Sequence, residues 1–284
     1  MRNLALPQVA ADAGSIAPAL APVESAHTRH FLRLLARIAA WLLAFVVPAS
    51  AGNAPVDPLV RDALAAESIG SPGRALTLFL KADAARPRNA FILQKISKQY
   101  SDLSEDVADT AEKQRLCTLA LGFATRATEL EPNQADNVLS IAICYGKLAL
   151  LGNTRTRVRN TRLVKEYAER AVALDPKNPL AHHVLGRWNF EVARTSGTMR
   201  FLAGVVYGEL PPASLAEAIR HFRRAAELEP QSPLHLVELG FALQANGDLD
   251  TARTAWAKAL KLNPDDRYET DALNRAREAL AKAR

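Results

Sequence analysis

The sequence predicts an all-α chain, a right-handed solenoid of about five helix pairs closed by a C-terminal capping helix. Three observations predict it. One short pattern, an alanine followed five residues later by a proline at the end of an apolar helix, occurs five times: Ala82 to Pro87, Ala127 to Pro132, Ala171 to Pro176, Ala225 to Pro230 and Ala259 to Pro264. Small residues recur between these ends, where two antiparallel helices must approach closely. The chain finishes with an amphipathic segment, Tyr268 to Ala283, of the polarity that covers the end of a stacked array. Each proline stops a helix because its ring and missing N–H forbid continuation, which sets the turn into the next helix.

The first unit, Val56 to Pro87, keeps Ala75, Phe79 and Ala82 around a Gly70-Ser71-Pro72-Gly73 turn. The second, Ala90 to Pro132, and the third, Ala135 to Pro176, are longer than the last unit. Their extra residues are charged and helix-favouring, so longer helix pairs are predicted. The fourth unit starts at Pro179, with Leu185-Gly186 in its first helix and Ala218, Phe222 and Ala225 in its second. Gly186 and Ala218 are 32 residues apart, whereas the corresponding Gly240 and Ala252 of the fifth unit are 12 apart, so an insertion of about Thr195 to Ser214 lies between the helices. The fifth unit, Pro233 to Asp266, carries Leu236, Leu239-Gly240, Leu243, Ala252, Trp256, Ala259 and Pro264, with Asn246-Gly247-Asp248 as its turn. This is the pattern of the tetratricopeptide repeat.

Units three to five add a more specific set: Ala171-Val172-Ala173-Leu174-Asp175-Pro176, His183-Val184-Leu185-Gly186-Arg187-Trp188, Phe201-Leu202-Ala203, Pro211-Pro212-Ala213-Ser214, then Glu217-Ala218-Ile219 and Phe222. Over roughly residues 135–265 the chain resembles the tetratricopeptide-like domain of the regulator of microtubule dynamics family, and the insertion ending in PPAS separates that family from ordinary repeats. The resemblance implies a helical repeat domain, association with microtubules in eukaryotic members, N-terminal membrane targeting, and phospholipid binding by the repeat domain in some members.

The N-terminal residues point elsewhere. Three arginines in residues 29–37 precede an almost wholly apolar run from Ile38 to Ala51 that ends in Pro48-Ala49-Ser50-Ala51, the order of an export signal, with Gly52 as the expected mature start. Residues 1–51 are therefore expected to direct the chain to the periplasm or outside the cell, and 52–284 to form the repeat domain. A retained N-terminal membrane anchor and an organelle transit peptide are the alternatives; the first 25 residues are long for a signal and suggest an over-extended start. An exported chain would meet no tubulin, so fold and ligand class are what the resemblance carries over. The formal charge is +6, and without residues 1–51 it is +4, far from the dense basic stripe of a nucleic-acid binder.

Function is expected to be binding. In such an array the first helix of each pair builds the concave wall, through Phe91, Gln94, Lys98 and Ser101 in unit two and Asp136, Leu139, Ile143 and Gly146 in unit three. Unit four contributes Leu180, His183, Arg187 and Phe190, and unit five Leu234, Val237, Phe241 and Gln244. The expected site is Phe91, Lys98, Leu139, Ile143, His183, Arg187, Phe190, Val237 and Phe241. It would hold a protein or peptide or, alternatively, a phospholipid with Arg187 at its anionic head. These apolar side chains can equally serve to pack neighbouring helices. The apolar insertion is either a lid or a short helix on the outside. The run Arg155, Arg157, Arg159, Arg162 and Lys165 reads as a solvated helix face, with phosphate binding as the rival, and no aromatic interleaves it.

No metal, nucleic acid or cofactor is expected. His182 and His183 are adjacent and diverge by about 100° on a helix, unlike metal-binding i, i+4 pairs. HExxH, GxSxG, Walker and GxGxxG motifs are all missing, so no enzyme is expected. For Cys117 and Cys144, two buried apolar residues and one disulfide both stay open.

Overall fold

A computed structural model describes residues 57–195, 208 and 210–282. The expected leader and most of the 195–214 insertion, including any role as a lid, lie outside the described residues. The described residues form eleven helices and no strand: α1 Pro58–Ser68, α2 Pro72–Ala85, α3 Ala90–Asp106, α4 Thr110–Leu130, α5 Ala135–Leu151, α6 Thr154–Leu174, α7 Pro179–Ala193, α8 Leu215–Leu228, α9 Pro233–Ala245, α10 Leu249–Ala259 and α11 Arg267–Lys282. They make five antiparallel pairs and a capping helix. The long second and third units consist of longer helices, 17 and 21 residues in each pair against 13 and 11 in the fifth.

Local chemistry sets these boundaries. Asp57, Asn89, Asp109, Asn153, Asn178, Ser214 and Asp248 each accept a backbone N–H of the first turn that follows, satisfying a donor the helix cannot use itself. The alanine–proline ends repeat closely. Arg86, Glu131, Asp175 and Glu229 share φ between −132° and −137° and ψ between 72° and 94°, and each donates its N–H to the motif alanine's carbonyl. The fifth copy departs from this: α10 stops at Ala259, and its cap, Leu260, keeps helical angles before the chain turns towards α11.

An aromatic of the second helix fits over a glycine of the first. A Cβ on Gly240 would stand 2.3 Å from the Trp256 indole nitrogen, and one on Gly186 2.7 Å from the Phe222 ring. The small residue at 240 therefore makes room for this ring, rather than only for a crossing with Ala252. Trp256 and Phe222 are fully buried, and the indole N–H donates to the Val237 carbonyl at 3.1 Å.

From α3 onward the first helices touch one another in succession, α3 with α5, α5 with α7, α7 with α9 and α9 with α11, while successive second helices are not in comparable contact. A layer whose helices lie closer together is the inner layer of a curved stack, so first helices line the concave side. The curvature is tight enough to bring the start of α11 against the end of α3. Arg267 donates to the Asp106 carboxylate and the Asp102 carbonyl, and the Tyr268 hydroxyl donates to Asp102 Oδ1 at 2.8 Å.

Candidate functional site

Between α7, α9 and α11 the concave side opens into a groove of about 1010 Å³. Its apolar surface comes from Phe190, Leu215, Phe241 and Leu249. Glu238 lies on the floor, 1% exposed, with Arg187 Nη1 3.1 Å from its Oε1 and Arg275 donating to the same oxygen. The other oxygen, Oε2, is buried without a partner among the described residues. Arg187 also reaches Glu191 at 3.2 Å, and both arginines remain nearly half exposed. Cations lie over both aromatic rings: Arg194 over Phe190 at 4.8 Å and Arg275 over Phe241 at 5.2 Å. The floor thus presents two guanidiniums, held together against their repulsion by one buried carboxylate, beside two aromatic faces.

Of the nine residues expected at the site, Arg187, Phe190 and Phe241 meet here. Four of the nine are core residues. Leu139 packs among Val138, Ala142 and Leu185, Val237 is fully buried against the α9–α10 core, His183 is buried between helices, and Phe190, though it lines the groove, is only 6% exposed. Ile143 packs partly buried on the Leu139 cluster. Phe91 is exposed on the first turn of α3 with Lys95 over its ring, away from the groove lining. Lys98 is bound by Asp102 at 2.8 Å and Glu67 at 3.3 Å; burial opposes its charge, but these carboxylates outweigh that and hold its pKa above the ordinary value.

Position-by-position reading of the first helices missed Glu238 and Arg275. A signal was present for Glu238, the only carboxylate in the mostly apolar α9. Arg275 lies on the capping helix, outside the repeat pattern.

His182 and His183 part as expected of neighbours on a helix. His182 meets His221 on α8, Nδ1 to Nδ1 at 3.0 Å, and His183 meets His235 on α9, Nδ1 to Nδ1 at 2.9 Å. The flanking groups assign the protons. His182 Nε2–H donates to the Pro176 carbonyl, so its Nδ1 accepts from His221, whose Nε2 accepts from Arg220. His235 Nε2–H donates to Glu229 at 2.8 Å, so its Nδ1 accepts from His183. Burial holds all four imidazoles below their ordinary pKa, His221 down to about 4, so both pairs are neutral joints between helices.

The basic run lies along α6, with Arg155, Arg157 and Arg159 exposed and Lys165 over the Trp188 ring at 5.1 Å. Trp188 is core, its indole N–H donating to the Thr161 carbonyl, and Leu210 and Ala213 from the end of the insertion pack against it. Cys117 and Cys144 are both buried free thiols, and burial raises the Cys144 pKa to about 12.

Comparisons with known proteins give consistent relatives. The family model described as Regulator of microtubule dynamics protein 1-3 matches residues 60–284. Regulator of microtubule dynamics protein 1 of Mus musculus is 28% identical over 138 residues, 49% of this chain and 45% of that protein. Regulator of microtubule dynamics protein 3 of Bos taurus is 27% identical over 183 residues, 64% of this chain and 39% of that protein. The chain thus spans less than half the length of the curated relatives it matches. Among solved structures, a thermophilic TPR protein of Thermus thermophilus superposes with a TM-score of 0.58 at 20% identity, covering 78% of this chain and 97% of that one, a likeness of fold.

Proposed function

The chain belongs to the regulator of microtubule dynamics family, and from that membership and the groove we propose that it is a non-catalytic binding protein whose concave surface holds a protein or peptide partner. The groove between α7, α9 and α11 carries this reading. It joins aromatic faces to charged side chains with donors to spare, as recognition of a polypeptide requires. Stacked repeats favour the same use, because adjacent inner helices make one continuous curved wall.

Site-specific photo-crosslinking tests it. A benzoylphenylalanine in place of Phe241 should yield a discrete polypeptide adduct in cells, and the same group in place of the exposed Leu80 on α2 should not. Equal adducts at both positions, or none at either, would reject the groove as the site.

The rival occupant is a phospholipid, favoured by the apolar faces beside Arg187. Native mass spectrometry separates the two readings: a co-purifying phospholipid mass supports the rival, and an apo mass that takes up no added lipid removes it.

The expectation of an exported protein stands as a further proposal. Amino-terminal sequencing of the processed chain would support it with a start at Gly52 and reject it with residues 1–51 still attached to a mature cytosolic chain.

A further inference from the structure

We propose that the contact between α11 and α3 is a latch that gates the groove: closed, it holds the inner helices around the groove together, and released, it lets α7 and α11 spread to admit a partner. This inference rests on the peptide-binding reading and supplies the regulation of that same site.

The latch is polar. Arg267 donates to the Asp106 carboxylate and, at 2.5 Å, to the Asp102 carbonyl, while the Tyr268 hydroxyl donates to Asp102 Oδ1 at 2.8 Å. Among the described residues no apolar cluster joins side chains of α3 to side chains of α11. Arg267 and Asp106 remain 40% and 47% exposed, so dissolved salt screens their attraction. Opening therefore exposes no core. The acceptor side is braced from behind: Asp102 Oδ2 takes Lys98 Nζ at 2.8 Å, and Lys98 reaches Glu67 on α1 at 3.3 Å. Lys98, expected in the binding wall, thus serves the latch by positioning Asp102.

Curvature joins the latch to the groove. Both lie on the concave layer, the groove between α7 and α11 with Glu238 of α9 on its floor. In a curved stack the inner helices draw together as the curve tightens and part as it relaxes. The inner contacts of α7, with α5 and with α9, are the slightest of the series, so relaxation concentrates beside α7, one wall of the groove. The opposite wall moves with the latch itself. Arg267 and Tyr268 stand at the start of α11, and Arg275 and Glu278 line the groove about two to three turns further along the same helix. Its middle residues, Ala272, Leu273 and Ala276, are buried in one core with α9 and α10, so the three helices move as a body.

The test measures two distances in the full chain by electron–electron double resonance, with Cys117 and Cys144, both buried, replaced by alanine. One spin-label pair, Glu191→Cys and Glu278→Cys, spans the groove; the other, Glu105→Cys and Asp271→Cys, spans the latch. Raising the salt concentration, or introducing Arg267→Glu, should lengthen both distances by several ångström, and adding Asp106→Arg to Arg267→Glu should shorten both again. The salt series uses the native latch, so it decides the matter even if a reversal variant does not fold. A latch distance that lengthens while the groove distance stays fixed would overturn the coupling, and two distances that never change would overturn the latch. Benzoylphenylalanine at position 241 then reads partner entry: its polypeptide adduct should form severalfold faster with Arg267→Glu than with the native latch. Equal rates despite a widened groove would overturn the gate, whereas distances that respond together with no adduct in either chain would reject the peptide-binding reading and leave the latch standing.

Discussion

Position 240 has no room for anything larger than hydrogen, because the Trp256 indole fills the place of the missing Cβ. Gly240→Leu should therefore destabilise by about 1–3 kcal/mol through overpacking, read as a lower urea midpoint with an unchanged slope. An unchanged midpoint would mean that the indole is free to move aside. This fit was half legible in the sequence, since glycine and tryptophan both stand in the repeat pattern. Their pairing was not, because a spacing of 16 residues across a turn specifies contact only once the two helices are docked. The groove residues divide in the same way. Arg187 and Phe241 fall at inner positions of the repeat and can be read from spacing, whereas Leu139 and Val237 hold equivalent positions and are covered by neighbouring helices. Position in the repeat gives direction, and exposure depends on what packs beyond it.

At the scale of the elements, α7 is joined to α8 and α9 by the two histidine pairs, which hold their geometry only while neutral. The groups facing them are Arg220, Arg224, Glu217 and Asp175 around His182 and His221, and Arg187, Arg275, Glu229 and Glu269 around His183 and His235. Because burial lowers the folded-state pKa values, the unfolded chain binds more protons as pH falls below about 6.5, the ordinary histidine value. The histidine contribution to stability should be fully present above that pH and be lost progressively as pH falls towards about 4, the value for His221. Urea midpoints measured across this range should show that decline, and His221→Gln should make it shallower. An equal slope in the variant would place the titrating groups elsewhere. The helices themselves were legible in the sequence, because capping side chains and the alanine–proline ends act locally and need no tertiary partner. The exception is the last alanine–proline copy, whose helix stops early at the junction with the capping helix.

At the scale of the whole repeat domain, the array is tied across its open side by a few polar contacts, the Arg267 and Tyr268 side chains on α11 against the Asp102 and Asp106 carboxylates and the Asp102 carbonyl on α3. Exposed ion pairs contribute about 0–1 kcal/mol each, so this clasp is weak enough to open without unfolding any repeat. Arg267→Glu should enlarge the radius of gyration in small-angle scattering with helicity unchanged, and adding Asp106→Arg should restore it. A radius unaffected by the single reversal would show that stacking alone fixes the curvature. By itself the sequence determined the helical class, the five pairs, their unequal lengths and the inner helices, because periodicity, caps and helix-stopping prolines are interactions among residues close in the chain. The tertiary structure decided which inner side chains stay open, that Glu238 gathers Arg187 and Arg275 into one site, and that residues more than 160 positions apart close the curve. Those outcomes depend on the small rotation added at each repeat, which accumulates along the stack and leaves no pattern in any one segment.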